Sequence, residues 1–106
     1  MSENAGRHDT LVALNVVDDD LYDRYRAGMT PLLEARGGFF GHDFRVGEVL
    51  RSAVDHPVNR VFVISFPDEA TRESYFASED YLAVRREFFD PAVEGATVLA
   101  QWVVGE

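Results

Sequence analysis

A chain of 106 residues is long enough for one modest hydrophobic core and does not call for a second domain. It has no cysteine, which removes disulfides, thiolate metal ligands and a cysteine nucleophile. Its 19 acidic residues against 10 basic ones give a net charge of −9, which opposes binding to nucleic acid or to an anionic membrane surface.

The segment 1–9 is polar and is expected to be a disordered tail rather than a secretory signal, with a single domain over 10–106. No stretch approaches the ~20 apolar residues of a membrane span, so no membrane partner is expected and the expected address is cytoplasmic. Thr10 to Val17 reads as a first strand, short and rich in apolar and β-branched residues. Asp18-Asp19-Asp20 then suits a helix start, where carboxylates cap free N–H groups. From there Leu21, Tyr25, Met29, Leu32 and Leu33 fall on one helical stripe, and Gly37-Gly38 stops the helix. Pro31 lies inside this segment at a cost of about 3 kcal/mol, which predicts a kink or break between Gly28 and Pro31.

Phe39 to Ser52 reads as a second strand, with Phe40, His42, Phe44 and Val46 on one face and Phe39, Gly41, Asp43 and Arg45 on the other. Gly41 and Gly47 suggest a bulge or bend. A loop over 53–59 leads to Arg60 to Phe66, the clearest strand in the chain. Pro67-Asp68-Glu69 opens a second helix to about Ala77, and Ser78 caps a further helical piece that Asp90-Pro91 is expected to end. Ala96 to Val104 is the last strand. The order strand, helix, strand, strand, helix, strand is that of a ferredoxin-like α+β domain with a four-stranded antiparallel sheet and strands one and three in the middle.

Strands one, three and four are apolar on both faces, whereas helices on one side can cover only one. Each large side chain left bare forgoes about 1.5–3 kcal/mol. The simplest cover is the same face of a second copy, so a homodimer is expected. The alternative is that the tail or the 85–95 segment folds over that face.

Polar residues on the strands are the candidates for chemistry. Asn15, Ser65 and Gln101 share parity with apolar neighbours and are placed to line one hollow, the arrangement a small-ligand site requires; hydrogen bonding at strand ends would explain them equally well. His42, between two phenylalanines and so expected to point into the protein, is the candidate for acid–base work, and a lone histidine there is more often structural. Asp43 points the other way. Arg45 and Arg85 are candidates to receive a carboxylate, with an acidic residue of the chain as the default partner of each. Tyr75 and Tyr81 are placed to wall a flat ligand or to pack in the core. No pair of histidines has ligand spacing, so no metal site is expected, and no phosphate or dinucleotide motif implies a cofactor.

Gly37-Gly38, the run Gly41 to Leu50, the run Asn59 to Pro67, and Ser78 to Leu82 followed by Arg85 together resemble the family catalogued as domain of unknown function 1330, in the dimeric α+β barrel superfamily. The resemblance covers about Tyr25 to Trp102. It implies the fold and the dimer, and supplies no established reaction. Many relatives carry tryptophan at the position of Tyr75 and arginine at that of Phe88, so a basic pocket built on that arginine does not carry over whole. Neighbouring families of similar fold include cofactor-independent monooxygenases and isomerases. Two classes of function are therefore open: a dimeric protein that binds a small apolar or aromatic metabolite, or a cofactor-independent monooxygenase or isomerase with His42 as general base.

Overall fold

The computed structural model describes residues 6–105. Its elements are β1 (Arg7–Val16), α1 (Asp19–Glu34), β2 (Phe39–Arg45), β3 (Arg60–Phe66), α2 (Glu69–Ala77), α3 (Glu79–Val84), a π-helical turn (Arg85–Phe89), α4 (Asp90–Ala92) and β4 (Val93–Val104). The four strands form one antiparallel sheet in the order β2-β3-β1-β4, the ferredoxin-like α+β arrangement expected from the sequence. Among the described residues no helix is long and apolar enough to cross a membrane.

Local chemistry sets the helix starts. The Asp18 carboxylate accepts from the Leu21 N–H at 3.0 Å, and Asp68 caps α2 through the Thr71 N–H at 2.7 Å. Ser78 caps α3 through the Tyr81 N–H and donates its own hydroxyl to the Tyr75 carbonyl at 2.7 Å. Gly37, in the left-handed region at φ 80°, turns the chain out of α1. The core lies between the helices and one face of the sheet, where Leu14, Tyr22, Met29, Leu33, Phe66 and Tyr75 are all almost wholly buried.

Five expectations are corrected. Arg7, His8 and Asp9, assigned to the tail, are the first residues of β1; His8 and Asp9 are buried, paired with Phe66 and Ser65 on β3 and with Val103 and Trp102 on β4. The rest of the expected tail, 1–5, lies outside the described residues. Helix α1 continues through Pro31 without a break. The cost of that proline, about 3 kcal/mol, is offset by burying Met29 and Leu33 beside it, worth about 1.5–3 kcal/mol each. Strand β2 ends at Arg45, and the chain from Val46 to Asn59 is a loop tied at its base by Val46 N–H to Asn59 O and Asn59 N–H to Leu14 O. The helical run continues through Asp90-Pro91 to Ala92.

The last correction concerns the faces of the strands. Phe40 stands opposite Ile64 and His42 opposite Val63, so Gly41 is an extra, bulged residue. Beyond it every side chain changes face. Phe40 and Asp43 point toward the helices, whereas His42 and Phe44 lie on the open face. A second bulge does the same in β4: Leu11 stands opposite Ala100 and Val12 opposite Val98, leaving Leu99 extra. Val98 is therefore on the helix-covered face and Trp102 on the open one.

Candidate functional site

Between the helix-covered face and the helices lies a cavity of about 260 Å³. Its floor is Thr10, Val12 and Leu14 of β1 with Phe62 and Ile64 of β3, which alternation in the strands directs to one side. Its roof comes from one face of α1, through Tyr25 and Met29, and from the helical run after β3, through Arg72, Phe76, Tyr81, Arg85 and Phe89. The π-helical turn sets the last two, with the Arg85 guanidinium 4.8 Å over the Phe89 ring. Ala96 and Val98 of β4 close one side but are themselves exposed, so the cavity meets solvent there, next to the half-exposed Arg85.

Most of the lining is apolar, with a few polar groups among the rings. The Tyr25 and Tyr81 hydroxyls share a buried hydrogen bond of 2.9 Å. Burial, reinforced by Tyr81, raises the Tyr25 hydroxyl well above the usual tyrosine range. Arg85 leans on Asp90 at 3.4 Å. Two buried polar atoms at the cavity have no hydrogen-bond partner, the Thr10 hydroxyl and Arg72 Nε. An unsatisfied buried donor costs about 1–3 kcal/mol, so each marks a place where a partner is wanted.

Against Phe40, one of the lining residues, packs a charged cluster. Arg26 lies 3.9 Å over the Phe40 ring and grips Asp43 with two bonds of 2.9 and 3.0 Å, and Arg60 adds a third contact at 3.4 Å. Burial alone would raise the Asp43 pKa, but the two arginines outweigh it and hold the carboxylate below its usual range. The Gly41 bulge makes this cluster possible, since it turns Asp43 toward α1.

Of the residues singled out from sequence, the structure brings Tyr81 and Arg85 together at this cavity and disperses the rest. His42 is exposed on the open face and stacks on Phe44 at 5.8 Å, contrary to its expected inward direction. Ser65 and Asn15 are also on the open face, at opposite ends, Ser65 beside Asp9 and Asn15 beside Asn59. Gln101 is exposed on β4 opposite Thr10, and Arg45 is exposed at the end of β2. Tyr75 is buried between α1 and α2 and donates to the Met29 carbonyl at 2.9 Å. Thr10 and Arg72 were missed because nothing in a strand's first residue or an amphipathic helix's arginine shows that its polar atom ends up buried and unpaired.

The open face carries Phe39, Phe44, Leu99 and Trp102, each between 39% and 55% exposed. At one end of this face the 46–59 loop folds over Ala13 and Val61. At the other, Asp9 is buried among Arg7, Trp102 and Ser65, whose hydrogen bonds outweigh burial and keep its pKa low. Among the described residues no group of three or more histidine, aspartate or glutamate side chains is placed to hold a metal ion.

The model of the family described as Domain of unknown function (DUF1330) matches residues 10–101, and the chain belongs to that family. No curated protein matches it. Among solved structures it is similar to a protein of unknown function from Rhodopseudomonas palustris, with 17% identity, a TM-score of 0.77, and coverage of 92% of this chain and 82% of that one. A dabb family protein with a ferredoxin-like fold from Mesorhizobium loti gives 21%, 0.65, and coverage of 92% and 96%. A dimeric protein of unknown function and ferredoxin-like fold from Bacteroides fragilis gives 9%, 0.62, and coverage of 92% and 96%. At these identities the likeness is one of fold.

Proposed function

We propose that this DUF1330 member is a homodimer that binds a small apolar or aromatic metabolite in the cavity between its sheet and helices. The observation that carries this reading is an apolar hollow of about 260 Å³ into which buried polar atoms project without partners. A dry cavity of roughly 150 Å³ accepts benzene, so this one has room for a ring and several further atoms. Binding is favoured over turnover because His42 is on the opposite side of the sheet, while the hydroxyls at the cavity belong to threonines and tyrosines and Tyr25 keeps its proton near neutrality.

A thermal-shift screen against a metabolite library tests the reading. A saturating ligand is expected to raise Tm by several degrees, about 4–8 °C per kcal/mol of binding linkage. Val98→Trp, at the exposed mouth, should fold normally and lose the response. If no compound stabilises the protein, or if Val98→Trp responds as the parent does, the cavity is not the binding site.

The dimer is supported by the row of exposed apolar side chains on the open face and by the description of the Bacteroides fragilis protein as dimeric. Light scattering at micromolar concentration should give twice the chain mass. A monomer mass would overturn it.

A further inference from the structure

We infer that the ligand of this cavity is a small carboxylic acid, one apolar ring or short chain with a single negative charge, and that Arg72 is the residue that meets the charge. This rests on the reading of the cavity as a binding site. The argument begins from charge. With 19 acidic residues against 10 basic, an arginine of this chain should find a carboxylate of its own, and those that pack at or beside the sheet and cavity with a buried or half-buried side chain mostly do: four of the ten arginines are ion-paired among the described residues. Arg7 pairs with Asp9, Arg26 and Arg60 with Asp43, and Arg85 with Asp90.

Arg72 is different. Like Arg24, Arg36, Arg45, Arg51 and Arg86 it takes part in no ion pair among the described residues, although Glu69 and Glu73 are close in sequence, but among the described arginines it alone has a side-chain nitrogen, Nε, that is buried without a hydrogen-bond partner. Its guanidinium lies 5.4 Å over the Phe76 ring, and both residues line the cavity. No lining residue is acidic, and Arg85 is already balanced by Asp90, so the uncompensated charge of the cavity is that of Arg72. Thr10, 1% exposed, adds a second unpartnered polar group, a hydroxyl able to donate to an anion.

The rest of the lining fixes the body of the ligand. Phe40, Phe62, Phe76 and Phe89 offer ring faces and edges and little else. A dianion would need more donors than one free guanidinium and one hydroxyl, whereas a monocarboxylate is matched by the guanidinium fork.

Titration calorimetry with 3-phenylpropionate and its uncharged analogue 3-phenylpropanamide tests the inference. The acid should bind the parent protein at least tenfold more tightly than the amide. Arg72→Gln, shown to be folded by circular dichroism, should bring the acid to the affinity of the amide and leave the amide unchanged. Equal binding of acid and amide to the parent protein overturns the anion inference and leaves the cavity reading standing, whereas failure of both probes to bind at millimolar concentration overturns both. A preference for the acid that survives in Arg72→Gln overturns the assignment to Arg72. Should that variant not fold, Arg72→Lys replaces it, with a weakened but retained preference expected.

Discussion

The two faces of the sheet are made from similar side chains and are finished differently. Under the helices, Leu14, Ile64 and Phe66 meet Met29, Leu33 and Tyr75, and the packing is interrupted only by the cavity. On the opposite face Val63 and Ala13 are buried, but Phe39, Phe44, Leu99 and Trp102 stand exposed around them. The first face holds two unsatisfied groups, the Thr10 hydroxyl and Arg72 Nε, at a hollow the size of a small molecule. The second offers a flat apolar surface with its one buried carboxylate, Asp9, already satisfied. An apolar face with an enclosed hollow suits a metabolite, and one whose apolar side chains lie open suits another protein surface.

Paired substitutions separate the two most sharply. Phe44→Glu puts a charge on the open face and occurs twice in a two-fold contact. It should weaken association by about 3–6 kcal/mol, from 1.5–3 for each ring, and give a folded monomer by light scattering. Leu33→Ala, in the core, should instead lower unfolding free energy by about 2–5 kcal/mol in urea and leave the subunit contact unchanged. If the Phe44 variant remains dimeric, the open face is not the interface.

A smaller effect is expected from Asp43. Its carboxylate titrates below the usual value in the folded chain, because Arg26 and Arg60 outweigh burial. The stability it contributes is complete above the unfolded value of about 3.9 and is lost as pH falls through the lower folded value. Asp43→Asn should flatten that acid limb in urea titrations and cost only about 1 kcal/mol at pH 7, since the carboxylate is 33% exposed and screened by solvent. An unchanged acid limb would mean that the cluster contributes nothing.

His42→Ala should have the least effect, leaving the ligand-induced thermal shift within about 0.5 kcal/mol of the parent. Loss of that shift would return His42 to the binding site and contradict its place on the open face.

Much of this architecture is legible in the sequence, for reasons that differ by element. Arg60 to Phe66 is a strand by composition alone, and the aspartates at 18 and 68 announce α1 and α2 because capping is a local interaction. The two-sided apolar pattern also predicts a face the helices leave bare. Tyr22 escaped the stripe although it is wholly buried, because its hydroxyl is satisfied by Arg26, a pairing that no periodicity shows. Arg7 to Asp9 read as tail for a related reason: the Asp9 carboxylate is matched by Trp102 and Ser65, far along the chain. The candidate site was the least legible part. Alternation counted straight through Gly41 and Leu99 puts His42 on one face with Phe40 and Trp102 on one face with Val98, and each bulge separates the pair.

Gly41 behaves as a frameshift in space. Phe39 and Phe40 are read in one frame of the pleat and His42 to Arg45 in the other, so one strand of seven residues carries two phases. Straightening the strand with Gly41 kept and paired would do more than remove a bulge. It would exchange Asp43 with His42, removing the anchor that Arg26 and Arg60 share and setting an imidazole in its place. Deleting Gly41, by contrast, would leave Phe40, His42 and Asp43 opposite their present partners, so the chemistry of the sheet's two sides turns on whether this one residue is bulged out or paired.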